Sequence, residues 1–150
     1  MKTPSLDTID SYLEKPYWVI DLLPKQVPLH SPGQYFKIEQ YYLSATQRDI
    51  LCTKFINIVL KLNCYYDMEV LHPTNGWERN PNPQILAGWI AECVSRAQII
   101  HFLFETADAL LTLSGDDTYM TLYQPPTELL DLVSTLALAE GLFVWQPPRQ

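Results

Sequence analysis

Glycine is scarce, at 5 of 150 residues, and none of the glycine-rich fingerprints GxGxxG, GxxxxGKS/T or GxSxG occurs. Phosphate-cradling loops and a hydrolase nucleophile elbow are therefore not expected. Histidine and cysteine are few as well, three of each. There is no HExxH, and His30, His72 and His101 have no ligand-like spacing to one another or to a cysteine. No metal site and no cofactor is expected. Cys52, Cys64 and Cys93 are odd in number, widely spaced and free of any CxxC. A disulfide framework favours an even count, so they read as reduced thiols. Residues 1–15 hold Asp7, Asp10 and Glu14 and no apolar core of an export signal. No apolar run approaches the ~18 residues that span a bilayer. The expectation is a cytoplasmic protein with no membrane role.

What remains is a globular profile: 47% hydrophobic residues, with 18% charged against a usual ~25%. A chain of this length makes about one domain and can bury a core without staples. Residues 1–16 lack a clear period and read as a helical turn or a loosely packed N-terminal arm. The 12 prolines punctuate loops.

The net charge of −7 is uneven. Residues 101–150 carry seven acids (Glu105, Asp108, Asp116, Asp117, Glu128, Asp131, Glu140) against Arg149 alone. Such a surface repels nucleic acid and anionic membranes and attracts a basic protein. It also keeps a domain soluble, which is the blander explanation.

Residues 17–23, between Pro16 and Pro24, are aromatic and β-branched and predict a strand. Residues 35–43 alternate Phe36, Ile38, Gln40 and Tyr42 with Tyr35, Lys37, Glu39, Tyr41 and Leu43, which predicts a second strand paired to the first. The apolar stripe Leu51, Phe55, Ile58, Val59 and Leu62 predicts a helix over 46–62, with Asn63 as its left-handed stop. Residues 66–71 alternate as a half-buried strand. The stretch 72–82, with its prolines and Asn75-Gly76, predicts a long irregular loop. Asn82 and Pro83 open the next helix as N-cap and first residue. Residues 99–104 read as a buried strand, although the helical period also continues through Ala97, Ile100 and Phe104. A hairpin over 109–123 turns at Gly115-Asp116-Asp117. A third helix follows Pro125-Pro126 and stops at Gly141, and residues 142–145 form a last strand. The sum is an α+β fold: a mixed, largely antiparallel sheet with about three helices packed on it.

Two candidate sites follow. The first is a binding surface. Trp77 and Arg79 belong to residue types enriched at hot spots and sit in the long loop, while Asp116, Asp117 and Glu128 represent the acidic third. The second is an aromatic-lined pocket with Trp18, Tyr41, His101 and Glu105, where His101 and Glu105 share a face in either a helix or a strand. Each feature has a structural explanation too. Trp77 can anchor its loop, Asp116 and Asp117 suit a turn, and His101 can be a core residue with one nitrogen satisfied. His30 and His72 are expected to be exposed. Tyrosine stacking on nucleic acid is opposed by the acidity and by the lack of a basic stripe. The expected function is a non-catalytic interaction, inhibitor or regulatory protein with a basic protein partner. The alternative is a small-molecule-binding protein or enzyme, and a homodimer through an edge strand is compatible with both.

Overall fold

The computed structural model describes residues 4–28, 30 and 33–148. In chain order the elements are α1 (Leu6–Leu13), β1 (Tyr17–Asp21), α2 (Gln34–Tyr42), α3 (Ala45–Asn63), β2 (Glu69–His72), β3 (Gly76–Arg79), α4 (Pro83–Ser95), β4 (Ile99–Phe104), β5 (Ala109–Ser114), β6 (Met120–Tyr123), α5 (Thr127–Ala139) and β7 (Phe143–Trp145). One antiparallel sheet has the order β3-β2-β4-β5-β6-β1-β7. The architecture is α+β, with five helices rather than about three. Among the described residues no helix is long and apolar enough to cross a membrane.

Local chemistry sets several boundaries. Asn82 Oδ1 accepts a hydrogen bond from the Gln84 amide at 2.9 Å, and Pro83 supplies the first residue of α4. An Asn82→Ala substitution is expected to cost ~1 kcal/mol, measurable by urea unfolding. Gly141 closes α5 at φ +76°, where the Leu142 amide returns to the Ala137 carbonyl at 2.8 Å. Asn63 does not act as a left-handed stop. It is the last residue of α3, and its side-chain amide reaches the Tyr66 carbonyl and Asn80 Oδ1.

Two expectations fail. Residues 34–42 form a helix, not a strand. β1 already pairs with β6 on one side and β7 on the other, so no edge is left for a hairpin partner. Released from the sheet, the segment follows its helix formers Lys37, Glu39 and Gln40. Tyr35 Oη donates to Glu39 Oε2 one turn on, at 3.1 Å. The stretch 72–82 is likewise not irregular throughout. It holds β3, which pairs with β2 through a turn at Gly76, φ +77°. His72 builds that turn: its Nδ1 accepts the Thr74 and Asn75 amides at 3.1 and 3.0 Å. The residue is therefore 2% exposed rather than solvated. Its ring lies 4.8 Å from that of Trp89, and its Nε2 is 3.7 Å from Glu92.

The sheet has unequal faces. On one, Phe55, Ile58 and Leu62 of α3, Leu86 and Ile90 of α4, and Leu129 and Val133 of α5 pack against Val70, Phe102, Leu111 and Leu122. Each such burial is worth roughly 2 kcal/mol. α5 carries the chain over β1, so β6 and β7 run parallel with β1 between them. On the other face α1 is the helix on the floor, where Ile9 and Tyr12 bury against Leu103 and Leu110. Tyr12 Oη donates to Asp108 Oδ1 at 2.5 Å, tying α1 to the β4–β5 turn. The rest of that face is open, and its composition decides what it can hold.

Candidate functional site

Strand register dictates the open face. His101 pairs with Thr112 and Thr112 with Thr121; Thr121 pairs with Val19 and Val19 with Trp145. Cross-strand partners share a face, so these five residues make a floor of mostly short side chains across five strands. One row further, Ile99 pairs with Ser114, and Asp21 with Phe143. α1 walls one side with Leu6, Ile9 and Leu13. The chain after β1, with Leu23, Lys25 and Val27, walls the other together with Tyr35 of α2. The result is a trough of two adjoining lobes, about 520 and 590 Å³, which share Leu13, Tyr119, Thr121 and Tyr123.

Three carboxylates from distant parts of the chain influence one another: Asp21 lines the lobe of Tyr35, Asp117 lines the lobe walled by α1, and the charge of Glu39 acts on both. Asp21 closes β1, Glu39 comes from α2, and Asp117 follows the β5–β6 turn. Asp21 accepts from the Leu22 amide at 2.7 Å and from Trp145 Nε1 at 3.3 Å. Burial nevertheless raises its pKa, with Glu39 adding to the rise. Asp117 is raised by burial, then by the charges of Asp116 and Glu39. The tyrosines report the same field. Tyr35 is pushed up to about 12 by burial and by Glu39. Tyr119 is raised by burial and then by Asp117, Tyr17, Asp21 and Glu39. Among the described residues lining the two lobes, Lys25 is the one lysine or arginine, whereas Asp10, Asp21 and Asp117 are acids. A trough walled by tyrosines and carrying this field favours cations, through Coulomb attraction and through aromatic faces.

The anticipated aromatic pocket is not assembled. Trp18 pairs with Leu122, in line with Leu111 and Phe102 on the helix-covered face, so the sheet separates it from His101. Tyr41 is exposed on α2, with its ring against Tyr42. Glu105 lies beyond the end of β4 in a hollow with Asp67, Glu69 and Arg79. His101 does reach the trough floor, where its Nδ1 shares a hydrogen bond of 2.8 Å with Thr112 Oγ1. Burial alone lowers its pKa to about 4. A carboxylate-assisted general base needs a paired acid, which this histidine does not have in Glu105.

The anticipated binding surface is divided. Asp117 lines the α1-walled lobe of the trough, and Asp116 is exposed beside it, its charge raising the pKa of Asp117. Glu128 is exposed on the first turn of α5, on the other side of the sheet. Trp77 is half-buried against the α1 cluster, so it anchors β3 to the protein. Arg79 is bound to Asp67 and Glu69 at 3.0 and 3.1 Å. Cys52 and Cys93 are buried, with pKa values pushed up to about 11, so they are thiols at neutral pH. Cys64 is exposed. Among the described residues no group of three histidines, cysteines or carboxylates is placed to hold a metal ion.

Sequence reasoning missed Asp21, Glu39, Tyr35, Tyr119 and the threonine floor. One signal was present: Tyr17, Val19 and Asp21 alternate with Trp18 and Ile20, which marks a strand face ending in a charge. No protein-family model matches the chain, and comparison with curated proteins and with solved structures returns no match.

Proposed function

We propose that the chain is a non-catalytic binding protein of the inhibitor or regulatory kind, working in the cytoplasm, whose trough takes up a basic partner. One observation carries this: Asp10, Asp21 and Asp117 line the tyrosine-walled trough within reach of the Glu39 charge, and Lys25 is the one lysine or arginine among the described residues of its lining. Three free cysteines accord with a reducing compartment. The single lobe of about 520 Å³, lined by Tyr17, Tyr35, Tyr119, Tyr123 and Trp145, is also of small-molecule size. A small organic cation is therefore the second reading.

The test compares wild type, the double variant Glu39→Lys/Asp117→Lys, and Glu128→Lys, which lies across the sheet. Each tagged full-length chain is titrated against the proteins it retains from lysate at low ionic strength. The double variant is expected to lose about tenfold or more in affinity, and wild-type binding is expected to fall as salt rises. Glu128→Lys is expected to bind as wild type does. Binding indifferent to salt and to the double substitution would remove the trough from the account.

A further inference from the structure

The lobe of about 520 Å³ has a centre of short side chains and an aromatic rim. Val19 pairs with Thr121 at the centre, and Trp145 stands beside Val19 on β7. Two residues along the strands in one direction, Tyr17 pairs with Tyr123, with ring centroids 5.7 Å apart. Two residues in the other direction stand Asp21 on β1 and Tyr119 just before β6. All of these line the one lobe, as does Tyr35 from α2. Tyr35, Tyr119, Tyr123 and Trp145 are half-buried, so each keeps accessible ring surface. Alternate residues of a strand share a face and lie ~6.6 Å apart. A group seated over Val19 and Thr121 is therefore flanked on both sides at about the ~6 Å within which an aromatic face attracts a cation.

Resting on the assignment of the trough to a basic partner, we infer that this lobe is an aromatic cage for one alkylated ammonium group, carried by a methylated lysine or by a free quaternary amine. Asp21 supplies negative charge but has little hydrogen bonding left to offer. Its Oδ1 already accepts the Leu22 amide, and its Oδ2 accepts the Trp145 indole N–H. An unmodified ammonium brings three N–H donors and is strongly hydrated, so leaving water for the lobe costs it partners. Methyl groups remove those donors and present the charge on a surface that ring faces attract. Lys25 is exposed on the wall of the same lobe and opposes any cation there. Removing its charge is therefore expected to tighten binding.

The experiment is a calorimetric titration of the full-length protein at low salt. The probes are acetyl-lysine amide, its ε-trimethylated form, choline, and 3,3-dimethylbutan-1-ol, which is choline with carbon in place of nitrogen. The trimethylated lysine is expected to bind about tenfold tighter than the unmodified one. Choline should bind and its neutral counterpart should not. Tyr35→Leu is expected to weaken both cations about fivefold, and Tyr35→Phe to restore them. Tyr35 belongs to α2, outside the sheet, and unchanged melting points will show that both variants fold. Lys25→Gln should tighten both about threefold. Trimethylated lysine binding tighter than choline points to a partner's side chain, and choline matching or exceeding it points to a free amine; either supports the cage. Equal affinity for the two lysines, equal affinity for choline and the alcohol, or indifference to Tyr35→Leu would overturn it. If no probe binds while retention of lysate proteins still responds to salt and to Glu39→Lys/Asp117→Lys, the cage is overturned and the basic-partner proposal stands. Loss of both responses would overturn both.

Discussion

Gly115→Ala is expected to destabilise the protein by ~3 kcal/mol, at the upper end of the usual range for overpacking. Gly115 is buried immediately after β5, where the sheet meets the C-terminal turn of α4. A Cβ there would collide with the Cys93 carbonyl oxygen and approach the Val94 oxygen and the Ala97 Cα to 2.9 Å. All three are backbone atoms, so no side chain can swing aside. The corner is also held from within: the Gly115 amide donates to the Gln98 carbonyl and the Gln98 amide to the Cys93 carbonyl, each at 2.9 Å. Moving α4 away would break these bonds and open the contact of Leu86 and Ile90 with the sheet. In a chain of this size the loss corresponds to a melting point lower by roughly 10 °C. Gly88 is the internal control. It lies in the middle of α4 with nothing within 4 Å of a Cβ. Gly88→Ala is expected to stabilise by ~0.5–1 kcal/mol through helix propensity. Equal melting points for the two variants would contradict the packing described here.

The contrast between these glycines bears on how far sequence can be read. The helix over 45–63 and the hairpin over 109–123 were legible because burial and local chemistry agree there. Leu51, Phe55, Ile58, Val59 and Leu62 are buried on one stripe, and Gly115-Asp116-Asp117 suits a turn. α2 was illegible because Phe36, Ile38 and Tyr42 imitate a two-residue period while the helix buries none of its residues. Alternation in sequence signals a strand only where a sheet has room to receive it, and strand order, not composition, decides that. β3 was hidden by the same turn residues that make its hairpin tight. His72 supplies an acceptor to that turn, a role no spacing rule would assign.

The site shows the same limit more sharply. The acidity of residues 101–150 was visible as composition. Which acids act together was not, because Asp21 and Glu39 lie far from Asp117 in sequence and the three influence one another only through the order β5-β6-β1 and the placement of α2. Glu128 is as acidic as Asp117 yet sits across the sheet. Trp77 and Arg79, attractive as residue types, are consumed by packing and by ion pairs.

Stability is expected to fall as pH drops from 7 to 5, by about 2 kcal/mol from His101 alone. Burial lowers its pKa from an ordinary 6.5 to about 4. Above pH 6.5 the histidine is neutral in both folded and unfolded chains and has no effect. Below 6.5 the unfolded chain binds a proton that the folded chain does not accept until about 4, so the unfolded state gains. Complete passage through the window is worth ~3 kcal/mol. Asp21 and Asp117 work in the opposite sense, since burial raises their folded pKa values and falling pH relieves that penalty. His101→Gln isolates the histidine, because the carboxylates remain in both proteins. Urea unfolding at pH 7 and pH 5 should give a smaller decline for the variant by that ~2 kcal/mol, and parallel declines would mean that His101 titrates alike folded and unfolded. The consequence for binding is specific. A histidine kept neutral on the trough floor adds no positive charge to the lobe of Asp117 at neutral pH, so His101→Gln should leave the binding of a basic partner unchanged at pH 7 while altering the acid stability of the protein that binds it.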